Sequence, residues 1–129
     1  MTLGQELLQE LTLEAAVTRR FLEKVPFDRT EFRPAPTSES IGRLAIHVAE
    51  IIAWWKNVTT HNKLDFIDFE PKAIQTTQEL LSYFDELLAD AKSALLNVTD
   101  MELKEEWSMK NGEETYFTLP RKQVLRLFC

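Results

Sequence analysis

The stretch from Ser40 to Trp55 constrains this chain more than any other, because it can hardly be anything but a helix with one side buried. At about 100° per residue, Ile41, Leu44, Ala45, Val48, Ile51, Ile52, Trp55 and Val58 fall on one broad arc. Arg43, Glu50 and Asn57 fall roughly opposite. An arc that wide has to be covered by other elements. His47 stands at its edge, beside Leu44, Ile51, Trp54 and Val58. A titratable imidazole in that position needs a hydrogen-bond acceptor or a metal ion.

The 129 residues suit one domain, residues 1–129, with one core. A net charge of -6 with no cluster of lysine and arginine excludes the electrostatic footprint of a nucleic-acid binder. No apolar run approaches the roughly 18 residues that span a bilayer, so no membrane partner is expected. The N-terminus reads as helix with polar and acidic residues and does not resemble a secretory signal. One cysteine cannot form an internal disulfide, and a cytoplasmic setting is the expectation.

Three further helices follow from periodicity and caps. Thr2-Leu3-Gly4-Gln5 fits a capping box. Leu7, Leu8, Leu11, Ala15, Thr18, Leu22 and Val25 then make a buried stripe that stops where Pro26 disfavours helix in the preceding residue. Pro26, Pro34, Pro36, Phe27 and Phe32 mark an ordered crossover, and Ser38 or Ser40 caps the second helix, which runs to about Thr60. A second connection carries Phe66, Ile67 and Phe69, which are expected to pack or to line a cleft. Thr76-Thr77-Gln78-Glu79 caps a third helix carrying Leu80, Phe84, Leu87, Leu88, Ala91, Leu95 and Val98 and ending near Asn97. Trp107 and Met109, then Thr115 and Phe117, alternate about Asn111-Gly112, which predicts a type I′ hairpin leaning on the helices.

Pro120 suits the first turn of a fourth helix, with Val124, Leu125 and Phe128 on its apolar side. From Pro120 to Cys129 that helix would be about 15 Å long, against about 33 Å for the first. With an apolar end, it is expected to be incomplete: a truncated product or fragment, or a bundle whose missing wall comes from another subunit. The fold class is therefore all-α, a four-helix bundle with long crossovers and a small β-hairpin before the incomplete last helix.

The order of these features resembles the DinB/YfiT-like superfamily of small four-helix-bundle metalloproteins. The resemblance is carried by Val25-Pro26-Phe27, Phe32-Arg33-Pro34-Ala35-Pro36, Ser40-Ile41-Gly42-Arg43-Leu44-Ala45-Ile46-His47, the Trp54-Trp55 pair, the Trp-containing hairpin and Pro120-Arg121. It implies a bundle, often a homodimer, with three histidines around a divalent metal, commonly nickel or zinc. His47 matches the ligand from the second helix. The other two, an H-x-x-x-H pair on the last helix, have no counterpart in this sequence. Relatives include thiol-dependent transferases and isomerases in which the metal activates a thiolate or water, and many have no known activity. The resemblance thus implies a small-molecule or thiol substrate for a transferase or hydrolase, with metal held weakly or not at all by this chain. The competing reading is a non-catalytic bundle, a dimerising or scaffolding domain that keeps His47 as a remnant and offers a groove to a partner helix.

Other groups are weaker candidates. His61 lies about 21 Å along a continuous helix from His47, too far to share an ion whose ligands sit about 2 Å away. Glu50, one turn on, and Asp65 or Asp68 from the loop are possible carboxylate neighbours. Trp55 reads as core and Trp54 as the better pocket wall. Cys129 reads as an ordinary buried thiol, and Arg33 as a surface ion pair or an anion contact. No glycine-rich loop is present to cradle phosphate.

Overall fold

A computed structural model describes residues 2–25, 41–67 and 72–127; side-chain burial is not described at Ile41. The crossover with Phe27, Phe32 and Arg33, the caps Ser38 and Ser40, the loop residues Asp68 and Phe69, and Phe128 and Cys129 lie outside those residues.

Helix α1 (Leu3–Leu22) begins with the expected box: Thr2 Oγ1 accepts from the Gln5 amide at 3.2 Å, and Gln5 Oε1 accepts from the Thr2 amide at 2.9 Å. Leu7, Leu11, Ala15, Leu22 and Val25 are buried, while Leu8 and Thr18 are half-buried. Helix α2 spans Ile41–Thr60 and helix α3 spans Thr77–Asn97. Thr76 caps α3 by accepting from the Glu79 amide, but the return bond goes one residue further back, from the Gln75 amide to Glu79 Oε2. Helix α3 is the central element. It packs against α1 on one side and α2 on the other, and Arg19 of α1 forks onto both carboxylate oxygens of Asp85 at 2.8 and 2.9 Å.

The buried side of α2 is rotated from the arc that the sequence suggests. Ala45, Ile52, Trp55 and Val58 are buried as expected, but Ile46, Ala49 and Glu50 are buried too, and Leu44 is 40% exposed. Two apolar faces share this helix. The face against α3 takes Ile46 and Ala49, so Glu50 is drawn inward rather than standing opposite the core.

A three-stranded sheet closes one end. Strand β1 (Lys63–Asp65) pairs in parallel with β2 (Glu106–Asn111), and β2 pairs antiparallel with β3 (Glu114–Pro120). The pairing of β2 with β3 follows the alternation in the sequence, whereas β1 was not expected, its three residues being too few to show a period. The turn is Gly112-Glu113, not Asn111-Gly112, since Asn111 pairs with Glu114. Gly112 has φ +65°, and no other described residue has positive φ, which fits the glycine-first type II′ turn and excludes type I′. One extra residue of β3, Tyr116, bulges where the register shifts.

A short helix α4 (Asp100–Leu103), also unforeseen, is capped by Thr99 in a full capping box. Helix α5 (Arg121–Leu127) then sets Val124 and Leu125, both fully buried, into the core. Arg121, 5% exposed, ties its start to the end of α2: Nη2 donates to the His61 carbonyl at 2.9 Å and to Asn62 Oδ1 at 3.0 Å. The protein is mostly helical with a small sheet. Among the described residues no helix is long and apolar enough to cross a membrane.

Candidate functional site

Helix α2 carries His47 on the side turned away from Ile46 and Ala49, and the imidazole is exposed. Its neighbour lies seven residues, about two turns, further along α2: the Trp54 ring meets His47 edge-on, with centroids 5.6 Å apart and planes at 72°. Trp54 in turn meets Phe66 edge-on at 5.5 Å and 66°. A row of three rings thus runs from the outer side of α2 to the end of β1. Phe66 is held there by backbone, since its amide donates to the Lys110 carbonyl at 2.9 Å and continues the β1–β2 ladder. Trp54 is half-buried, and Trp55 is core at 1% exposed.

The carboxylates near His47 in sequence have other employment. Glu50 is 4% exposed, and its Oε1 accepts from the Lys72 amide at 3.2 Å. The Glu50 and Glu86 charges add to burial in pushing the Tyr83 phenol above its ordinary range. Asp65 Oδ1 accepts from the Gly112 amide at 2.9 Å and from the Ile67 amide at 3.0 Å, and these bonds hold its carboxyl below the usual range. Asp65 is therefore the clip between the end of β1 and the hairpin turn. His61 is exposed beside Thr60 Oγ1 at 2.8 Å, and α2 runs unbroken to Thr60, so the two histidines stand about 21 Å apart along the axis.

A divalent ion of nickel or zinc type needs three or four nitrogen, sulfur or oxygen donors converging within about 2.3 Å of it. Among the described residues no group of three histidine, cysteine, aspartate or glutamate side chains can do this. His47 supplies one accessible imidazole, and the described residues do not fit a closed metal centre around it.

The fold and this face define a mostly helical protein whose described helices carry one solvent-facing histidine, with the Trp54 ring beside it. The DinB family model matches residues 1–128, nearly the whole chain. The chain belongs to the DinB family. No curated protein and no solved structure matches it.

The burial of Glu50 and Arg121 is not legible in the sequence, since each has a polar partner that only the folded chain brings near. A carboxylate flanked by Ala49 and Ile51 was the one available hint for Glu50.

Proposed function

We propose that residues 1–129 form one four-helix-bundle domain of a DinB-type metalloprotein of the transferase or hydrolase kind. In this reading His47 is a single donor to nickel or zinc, and the chain alone does not complete the centre. The observation that carries it is the exposure of His47. Among the described residues its ring has only the Trp54 edge for company, which leaves the imidazole nitrogens open to an ion. Family membership supports the assignment of kind. A cytoplasmic protein acting on a small molecule or thiol, and assembling as a homodimer, completes the proposal. The surface available for pairing is the outer side of α1, where Leu13, Val17 and Phe21 stand exposed at a four-residue spacing.

Titration with nickel and zinc, read by calorimetry and by imidazole proton resonances, tests the role of His47. Weak binding that shifts the His47 ring signals and disappears in His47→Ala is expected, since one imidazole holds a divalent ion loosely. Stoichiometric, tight binding unchanged in His47→Ala would sink the assignment. Silent ring signals at high metal concentration would favour the scaffold reading instead.

A further inference from the structure

The segment that leads into α3 and the first half of that helix border a cleft of about 500 Å³, a size within the range of small-molecule sites, about 300–1,000 Å³. Glu79, Tyr83 and Glu86 line it at four- and three-residue spacing, so they share one face of α3. Lys72 and Ile74 line it from the segment before the helix. That wall is tied down at its start, because the Lys72 amide donates to Glu50 Oε1 of α2 at 3.2 Å. Tyr83 is half-buried and packs on the core, which holds its ring. The Lys72 ammonium lies 4.6 Å from the centroid of that ring, within cation–π reach.

We propose that this cleft binds a small organic ammonium ion, which takes the place of the Lys72 ammonium over the Tyr83 ring and is balanced by the carboxylates of Glu79 and Glu86. Charge selects a cation over an anion. Among the described residues that line the cleft, Lys72 is the one cation, against two carboxylates. The phenol reports the same field: burial holds Tyr83 above its ordinary range, and the charges of Glu50 and Glu86 add to that. An aromatic face with negative charge around it is the arrangement that recognises an ammonium group. Lys72 shows that this ring accepts one. Its side chain is exposed and carries its charge on a flexible stem, so it can swing into water and leave the ring free. None of these residues is a proposed metal donor, so the inference is independent of the reading of His47.

The probe is tetramethylammonium chloride, titrated into the full chain against sodium chloride at matched ionic strength, with the tyrosine ring resonances followed. Saturable shifts of the Tyr83 ring are expected, with the exposed Tyr116 unmoved. Lys72→Gln removes the competing ammonium and should tighten binding about threefold to tenfold, whereas Glu86→Gln should weaken it about threefold. Tyr83→Phe keeps the ring face and should retain binding, and Tyr83→Leu should abolish it. Circular dichroism checks that each variant is folded, and the Lys72 and Glu86 variants decide the matter if Tyr83→Leu is not. Absence of a saturable shift in both the natural chain and Lys72→Gln overturns the proposal. So does weaker binding in Lys72→Gln, or a Tyr83 ring that answers to inorganic phosphate and not to the cation, which would make Lys72 an anchor for anions.

Discussion

Trp107 and Asn57 join the hairpin to the second helix: the fully buried indole donates from Nε1 to Asn57 Oδ1 at 3.0 Å. Asn57 belongs to the polar side of α2 by sequence, yet it is half-buried and serves as the acceptor that lets a tryptophan lie wholly inside. Trp107→Phe should therefore cost about 1–3 kcal/mol, because it removes the bond and leaves the Asn57 amide facing apolar surface. Urea unfolding of Trp107→Phe, Asn57→Ala and the double variant measures it. Additive losses would show that the bond contributes nothing.

Gly4 lies at a close approach between α1 and the end of α3. A Cβ there would meet the Leu95 carbonyl oxygen at 2.8 Å and Val98 Cγ1 at 3.3 Å, and the first of these is backbone that cannot swing aside. By helix propensity Gly4→Ala would be favourable. In this setting it should instead destabilise by about 1–3 kcal/mol through overpacking. A raised thermal midpoint for Gly4→Ala would contradict the close approach.

The hairpin turn carries two separable demands at Gly112. Its φ of +65° penalises any side chain, and a Cβ would also touch Ile67 Cδ1 at 3.1 Å. Gly112→Ala should cost about 1–2 kcal/mol from the left-handed backbone alone. Adding Ile67→Ala removes the contact but not that backbone cost. Full recovery of stability in the double variant would show that crowding, not φ, was the reason for glycine.

Acid should unfold the protein through carboxylates that are better held folded than unfolded. Asp65 is lowered from 3.8 by the Gly112 and Ile67 amides, Asp85 from 3.8 by Arg19, and Glu102 from 4.5 by the Thr99 backbone and hydroxyl. A depressed carboxylate contributes fully above its unfolded value and loses that contribution as pH falls through its folded one. Stability should thus be flat near neutrality and decline below about pH 4.5. Tyr83 works at the other end: raised from 10.0 by burial and by Glu50 and Glu86, it lowers stability as pH climbs past that value. Denaturant midpoints from pH 2 to pH 11 check both slopes. A stability maximum at pH 3 would refute the acid arm.

Much of the scaffold can be read from the chain because its causes are local. The caps at Thr2 and Thr76, the stripes of α1 and α3 and the alternation on either side of Gly112 depend on neighbours within about a turn. The His47 motif is legible for the same reason. The short elements are not: β1 and α4 have too few residues to show a period, and β1 exists only because β2 lies beside it.

Sequence by itself determined the three long helices, the hairpin partners and the family. Tertiary structure alone decided how the buried side of α2 would be turned, taking in Ile46, Ala49 and Glu50 beside Ala45, Ile52, Trp55 and Val58. By periodicity Leu44 belongs inside and Glu50 outside, and packing against α3 reversed them. A helix that is apolar over more than half its circumference has no preferred side of its own, so its neighbours choose. That choice leaves His47 facing solvent beside Trp54.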